Sequence, residues 1–431
     1  MERTLAAELS AYVGERVRMA GWLHHQRQLA QVAFLLLRDR SGIAQVVLTD
    51  RADRETLAGF LAETVVEIEG TVIANDQAPA GVELVDPTVA VLTEPAAAPP
   101  FELRRATVNA QLPTLLDHAA VALRHPARRA LAQIAASSAS GFRTALEDAG
   151  FTEVFTPKVV AAATESGANV FPIDWFGRRA FLAQSPQFYK QIMVGVFERV
   201  YEVGPVFRAE PHDTVRHLAE YLSLDAEMGF IRDHRDVMTV LRDVLSAMIG
   251  AIAENAQPAL RLRDLDLPEV PSDIPTLNFD EAQHMIEAST GRATVGEPDL
   301  SPADERWLGD WARAEYGSDF VFVTGYPMAK RPFYTHPDPA NPETSNSFDL
   351  LFRGMELVTG GQRLHRYQDY LDALQGQDLD AFEGYLEAFR HGMPAHGGFA
   401  IGLERWVARL AAVANVREVT LFPRDLHRLT P

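Results

Sequence analysis

YEVGPVFRAEPHDTVRHLAEYLSLDAEMGF, residues 201–230, decides how the rest of the chain is read. Apolar residues flank Phe207-Arg208-Ala209-Glu210. A short polar loop then carries Arg216 and His217, and an alternating run follows with Asp225 and Glu227. The pattern predicts strand, charged loop, strand. An arginine separated by one residue from a glutamate, on a rigid strand ahead of a basic loop, suits a nucleotide. Arg208 can fork onto a phosphate while Glu210 accepts from a base or orients a neighbour. The plainer reading of these residues alone is a half-exposed strand carrying an ion pair.

On the N-terminal side, HPARRALAQIAASSASGFRTALEDAGF predicts a long helix over 128–149, closed by Gly150 at the C′ position. TEVFTPKVV then reads as a strand interrupted by Pro157, which belongs at an edge or an interface. A loop over 163–173 carries Glu165 and has the composition of a lid. FLAQSPQFYKQIM (181–193) reads as a strand, a Ser-Pro turn and a helix with Gln187 and Lys190 on one face.

On the C-terminal side, residues 234–258 predict an amphipathic helix, and 259–320 is acidic, mixed and expected to be peripheral. SFDLLFRGMELVTGGQRLHRY (347–367) predicts a buried strand pair with Asp349 and Glu356, followed by Thr359, Gly360, Gly361 and Arg363. HGGFAIGLERWVARLAAV (396–413) runs from a Gly-Gly bend through a strand into a helix with Arg405 near its start.

Residues 1–95 predict a small β-barrel, with strands near 17–25, 32–39, 43–50, 65–74 and 89–93 and a helix over 52–63. Three strands, a helix and two strands is the order of an OB-fold, whose exposed face binds single-stranded nucleic acid. On that face Phe34 is a candidate stacking platform, and Arg27 and Gln45 are candidate readers of base edges. An isolated aromatic on a strand is, however, more often core. Residues 96–115 form a Pro/Ala-rich linker with Arg104-Arg105, and 116–431 forms the second domain.

Composition narrows the chemistry. The chain has 431 residues and no cysteine, so disulfides, thiolate metal sites and a cysteine nucleophile are excluded. A net charge of −19 argues against a broad nucleic-acid-coating surface, and residues 1–95 carry eight arginines against fourteen carboxylates. Binding there rests on few contacts. No apolar run reaches transmembrane length and the N-terminus has no signal-peptide core, so a cytoplasmic protein with no membrane contact is expected. Neither GxxxxGK[ST] nor GxGxxG is present, which sets aside the common nucleotide folds. What remains is convergent charge. Asp349 and Glu356 can hold a hard divalent cation; Arg208, Arg405 and His217 suit a polyphosphate; Lys190 and Arg363 need carboxylate partners if buried.

Taken together, these segments resemble a class II aminoacyl-tRNA synthetase, and within that class the aspartyl-tRNA synthetases of the compact archaeal type. FTEVFTPKVV resembles motif 1 with its interface proline, VFRAE and the loop to Asp225 resemble motif 2, and GLERWVARL resembles motif 3. QSPQFYKQ and TGGQRLHR resemble the aspartate subgroup. The resemblance covers nearly the whole chain, weakest at 235–320. The implied fold is α+β: an OB-fold anticodon-binding barrel and a catalytic antiparallel sheet flanked by helices.

The resemblance also implies roles. Arg208 would bind the ATP α-phosphate and stabilise the in-line transition state. Glu210 would contact the adenine side, with Tyr221 stacked on the ring opposite Arg405; Arg405 and His217 would hold the γ-phosphate, and Arg216 would belong to the same ATP-binding set. Asp349, Glu356 and Thr359 would coordinate Mg²⁺. Glu165, Gln187 and Asp225 would hold the α-amino end of L-aspartate, and Lys190 and Arg363 would clamp its side-chain carboxylate. A lysine facing that group separates aspartate from asparagine. The implied activity is ATP-dependent aspartyl-adenylate formation and transfer to the 3′ end of tRNA(Asp), by a homodimer.

At the anticodon face, strict archaeal members carry Trp and Lys where this chain has His24 and Gln77. That difference leans towards a relaxed enzyme that also charges tRNA(Asn), with an amidotransferase completing Asp-tRNA(Asn). The rival readings are a strictly discriminating enzyme, an asparagine synthetase-like paralogue, which would lack residues 1–95, and a catalytically dead tRNA-binding paralogue, which would not need the whole ATP and aspartate set.

Overall fold

A computed structural model of the chain describes residues 1–105, 107–161, 170–211 and 213–431. It contains two compact units, Met1–His125 and Pro126–Pro431.

The first unit is built on a closed five-stranded barrel: β1 (Arg16–Gln28), β2 (Ala33–Arg38), β3 (Ile43–Leu48), β4 (Val65–Ala74) and β5 (Val82–Thr93), in the order β1-β2-β3-β5-β4. Period-two alternation fills it: Ala33, Leu35 and Leu37 of β2 and Ala44, Val46 and Leu48 of β3 point inward. The helix between β3 and β4 spans only Arg51–Leu57, N-capped by Asp50, whose carboxylate accepts from Asp53 N at 3.0 Å. It stops short of the expected Glu63, which sits at φ 73°. The last strand starts at Val82 rather than near 89. Asp86-Pro87 reads as a turn, but the ladder steps from Glu69↔Thr88 to Thr71↔Val85, so a bulge absorbs the pair and the strand continues. Beyond the barrel, Arg38 and Arg124 share Glu63, each 2.8 Å from its Oε2. This ties the segment before His125 to the barrel wall.

The second unit carries an eight-stranded sheet. Its strands are β6 (Thr152–Glu153), β10 (Arg199–Phe207), β11 (Glu220–Gly229), β12 (Thr276–Asn278), β13 (Phe320–Thr324), β14 (Ser347–Phe352), β15 (Glu356–Gln362) and β16 (His396–Gly402). The order is β12-β13-β14-β15-β16-β11-β10-β6, antiparallel within and parallel only at the two outer pairs. A separate three-stranded sheet pairs β7 (Val159–Val160), β9 (Arg178–Leu182) and β8 (Pro172–Trp175), in that order. Pro157 lies between the short strands β6 and β7, where no ladder needs its missing N–H.

The long helix Pro126–Asp148 opens on a proline, and Gly150 follows it at φ +79°. Its Leu131, Ile134, Phe142 and Leu146 pack with Leu241, Leu245, Met248 and Ile252 of the helix His234–Asn255 in the core beneath the sheet. The segment 259–320 is not peripheral. It supplies β12 and β13 and two helices, Phe279–Thr290 and Pro302–Tyr316, with a core of their own. Only four residues of it are strand, Thr276–Asn278 and the first residue of β13, Phe320, too few for a periodic signal in an acidic stretch.

Candidate active site

The hairpin β10–β11 lies next to the edge strand β6 in the eight-stranded sheet, and its residues pair from Arg199↔Met228 to Phe207↔Glu220. The strand–loop–strand reading of 201–230 is therefore met. Above β11, β15 and β16 lies a cavity of about 310 Å³, lined in part by the loop, the start of the helix Leu403–Leu410 and the helix Gln187–Phe197. It gathers Gln187, Lys190, Arg208, Glu210, Arg216, His217, Tyr221, Asp225, Glu356, Thr359, Arg363 and Arg405 from across the chain. Glu165 lies outside the described residues.

One end of the cavity is a buried charge cluster. The helix Gln187–Phe197 turns Gln187, Lys190 and Gln191 inward together, as i, i+3, i+4 spacing dictates. Lys190 Nζ donates to Asp225 Oδ1 at 3.0 Å and lies 3.4 Å from Glu227 Oε2. Arg363 Nε donates to Glu227 Oε1 at 3.1 Å, and its Nη2 donates to Gly398 O at 3.0 Å. Burial pushes the Glu227 carboxyl up, but Arg363 and Lys190 outweigh it and leave the group below the usual carboxylate range. Gly398 faces Glu227 across the β11–β16 ladder, and a Cβ there would collide with Ala226 O and with the Glu227 carboxylate. Glycine is required for the carboxylate to lie flat on the strand.

Behind the cluster, Gln187 Nε2 donates to Gln191 Oε1 at 2.8 Å, and Gln191 Nε2 donates to Tyr370 OH at 3.0 Å and lies 2.9 Å from His396 Nε2. Burial holds the His396 imidazole down at about 4, hence neutral. The sequence reading gave no role to Glu227, Gln191 or His396. Their i+2 and i+4 spacing from Asp225 and Gln187 is the signal that would have found the first two.

The other end gathers Arg208, Arg216, His217 and Arg405, side chains able to hold a polyanion. The Arg208 guanidinium lies 5.8 Å from the Tyr221 ring centre. Gly402 sits between Tyr221 and Arg405, since a Cβ placed on it would lie 3.9 Å from each. His217 Nε2 is 3.2 Å from Glu210 Oε2, and its Nδ1 is 2.6 Å from Thr214 Oγ1. Arg216 donates to Glu305 at 2.9 Å, and the same Glu305 oxygen accepts from Glu356 N at 3.0 Å. Glu305 comes from the helix Pro302–Tyr316, in the segment expected to be peripheral. Glu404 accepts from Leu222 N with both oxygens, at 3.1 and 3.2 Å. It extends the β11–β16 ladder past its last residue pair, Ser223↔Gly402. Burial raises its carboxyl to about 7.

The candidate metal residues lie on the β14–β15 hairpin, where Asp349 pairs with Thr359. The Thr359 hydroxyl donates to Glu356 Oε1 at 3.2 Å. Asp349 is buried and bonded to Arg331 at 3.1 Å; Glu356 and Thr359 line the cavity itself. Burial raises the Asp349 carboxyl to about 6, Arg331 opposes the rise and Glu356 adds to it. Two carboxylates with a hydroxyl between them are oxygen donors suited to Mg²⁺. Among the described residues no cluster of three or more acidic or histidine side chains forms a complete cage, so phosphate oxygens would have to supply further ligands.

The model of tRNA synthetases class II (D, K and N) matches residues 111–426, and that of the OB-fold nucleic acid binding domain matches residues 17–92. The chain belongs to the class II tRNA synthetases. This synthetase is 48% identical to the aspartate–tRNA(Asp/Asn) ligase of Thermus thermophilus, covering 100% of both chains. It is 43% identical to the protein of that name from Aeropyrum pernix, covering 99% of this chain and 98% of the other. Among solved structures it superposes on asparaginyl-tRNA synthetase from Pyrococcus horikoshii complexed with asparaginyl-adenylate, with TM-score 0.92 and 30% identity over 100% of both chains. It also superposes on aspartyl tRNA synthetase from Entamoeba histolytica, with TM-score 0.89 and 30% identity over 100% of this chain and 93% of that one. The same backbone thus serves neighbours named for asparagine and for aspartate.

In the barrel of this synthetase, cross-strand pairing sets Arg27, Phe34 and Val47 side by side, with His25, Leu36, Gln45 and Glu83 in the next row. Phe34 is half-buried on this outer face, so it is not core. Gln45 Nε2 donates to Glu83 Oε2 at 2.7 Å. Gln77 is exposed in the turn after β4. His24 is the exception. The register of β1 shifts between Leu23 and His25, which turns His24 into the wall, where it is 5% exposed near Arg38 and Glu63. A direct contact from His24 to a base is set aside, and His25 takes the outward place.

Proposed function

We propose that this synthetase activates L-aspartate with ATP and transfers it to tRNA(Asp) and also to tRNA(Asn). The observation that carries the reading is the pair of buried cations, Lys190 and Arg363, braced by Asp225 and Glu227 at the closed end of the cavity. The substrate ammonium takes the Asp225 carboxylate, which releases Lys190 to the substrate side-chain carboxylate beside Arg363. Charge is conserved in this exchange, and a neutral side-chain amide would leave Lys190 and Arg363 sharing the single Glu227 carboxylate.

With the amino acid so held, its α-carboxylate faces the nucleotide end. Arg208 holds the α-phosphate there, Tyr221 and Arg405 sandwich the base, and Arg216, His217 and Arg405 hold the outer phosphates. Glu210 meets the adenine side. Mg²⁺, held by Glu356, Asp349 and Thr359, would neutralise phosphate charge. Catalysis is positioning and charge stabilisation, with no covalent nucleophile from the protein.

The charging of tRNA(Asn) is supported by the relatives named for both tRNAs, and no longer by His24. An amidotransferase would then convert Asp-tRNA(Asn). The outer barrel face, with Phe34, Arg27, Gln45 and Gln77, meets the anticodon. A homodimer is supported by the edge strand β6, the adjoining Pro157 and Phe155, which is 82% exposed. Among the described residues no helix is long and apolar enough to cross a membrane.

The test is charging of tRNA(Asp) and tRNA(Asn) transcripts with labelled aspartate, ATP and Mg²⁺. Comparable kcat/KM for both is expected. Charging of tRNA(Asp) alone would remove the relaxed specificity and leave the core reading intact. Aspartate-dependent ATP–pyrophosphate exchange without charging of either would favour the asparagine synthetase-like paralogue.

A further inference from the structure

The loop between β10 and β11 is closed at its base by Arg208 N donating to Ala219 O at 2.9 Å, yet its far side faces solvent, with Asp213 and Val215 exposed. What holds that far side is a segment two hundred residues away. Val416 N donates to Val215 O at 3.0 Å, and Ala219 N donates to Arg424 O at 2.7 Å. Between these two backbone contacts sits Arg417, which is buried. Its Nη1 donates to Thr214 O at 3.1 Å, its Nη2 binds the Asp213 carboxylate, and its Nε donates to Asp425 Oδ2 at 2.5 Å. Asp425 is itself fixed, its other oxygen accepting from His427 N at 2.9 Å and Arg428 N at 2.8 Å.

Thr214 is the joint between this brace and the cavity. Its carbonyl accepts from Arg417 and, at 3.3 Å, from His217 N, while its hydroxyl contacts His217 Nδ1 and accepts from Arg216 N at 3.2 Å. The guanidinium fork is planar and rigid, so holding Asp213 and Thr214 together fixes the backbone immediately before Arg216 and His217. A loop ordered in advance does not have to be ordered by the nucleotide on binding.

We propose that Arg417, braced by Asp425, is a positioning residue for the nucleotide: through Asp213 and Thr214 it fixes the loop that presents Arg216 and His217. The inference rests on the reading of those two side chains as phosphate contacts. It is tested by ATP–pyrophosphate exchange on the full-length protein, with KM for ATP and for aspartate measured separately in Arg417→Met, Arg417→Lys, Asp213→Asn and His217→Ala. The ATP KM is expected to rise about tenfold or more in Arg417→Met, as for a misplaced binding group. Arg417→Lys is expected to fall between that variant and the parent, with the aspartate KM within about twofold throughout. Asp213→Asn, on the surface, is expected to shift the ATP KM in the same direction and decides the matter if Arg417→Met does not fold. Amide exchange of residues 213–217 should quicken in both.

Equal rises in both KM values, or an unchanged ATP KM with unchanged amide exchange, would overturn the role of Arg417. An unchanged ATP KM in His217→Ala would overturn the assignment of the loop to the nucleotide, and the inference with it. An effect in His217→Ala with none in Arg417→Met or Asp213→Asn overturns the inference alone.

Discussion

Lys190 Nζ lies 3.0 Å from Asp225 Oδ1, with both side chains 2% exposed, and the same ammonium is 3.4 Å from Glu227. It is one of three lysines in the chain, against thirty-seven arginines. A compact ammonium on a flexible stem can move from one carboxylate to another, which a planar guanidinium in a bidentate fork cannot do as readily. Lys190→Met should reduce aspartate-dependent pyrophosphate exchange by two or more orders of magnitude and should give no activity with asparagine. Because it strands Asp225, it should also destabilise the fold by about 3–5 kcal/mol. Exchange assays with both amino acids, together with thermal melts, check this.

Gly398→Ala tests the same cluster from the opposite strand. The added methyl meets Ala226 O and the Glu227 carboxylate, so Glu227 must leave Arg363 or the strands must part. The expected cost is about 1–3 kcal/mol. Catalytically, the aspartate KM should rise at least tenfold while the ATP KM stays within about twofold. Equal rises in the two would show a general collapse of the sheet.

Glu404 makes a pH prediction. Its folded carboxyl is raised by burial to about 7, above the ordinary value of 4.5. The folded state therefore holds a proton that the unfolded chain releases between those values. Its contribution to stability is fully present below about 4.5 and is lost as pH rises through about 7. Glu404→Gln keeps an acceptor for Leu222 N and removes the titration. The melting temperature of the variant relative to the parent should be higher at pH 8 than at pH 5, as measured by calorimetry at the two values. A difference that does not change with pH would show that Glu404 does not titrate there.

Phe34→Ala should leave pyrophosphate exchange unchanged and raise the KM for tRNA. Loss of one base stack is worth about 1–3 kcal/mol, or roughly five- to hundredfold in affinity. Charging assays against exchange separate the two effects. A fall in exchange would place Phe34 in the stability of the chain instead.

Much of the catalytic unit was legible because its chemistry is local in sequence. Arg208 and Glu210 leave β10 together, Asp225 and Glu227 alternate along β11, Gln187 and Lys190 share a helix face, and Gly402 leads directly into Arg405. Strand and helix periods place such residues on one face without any knowledge of neighbours. Phe34 was less legible, since an aromatic on a strand looks the same facing in or out until its register is known.

The sequence by itself determined the order of most elements outside 259–320, the barrel, and many of the charged residues that line the cavity. Those follow from periodicity, capping and turn residues, which are short-range. Only the tertiary structure decided which residues complete the site from afar. Glu305 arrives from the helix Pro302–Tyr316, Arg331 meets Asp349, His396 backs the charge cluster, and Arg417 grips the loop before His217. It also turned His24 inward, through one register shift in β1. These are contacts between residues far apart in the chain, and the physical reason they escape the sequence is that pairing register and burial are set by the packed fold, not by any local pattern.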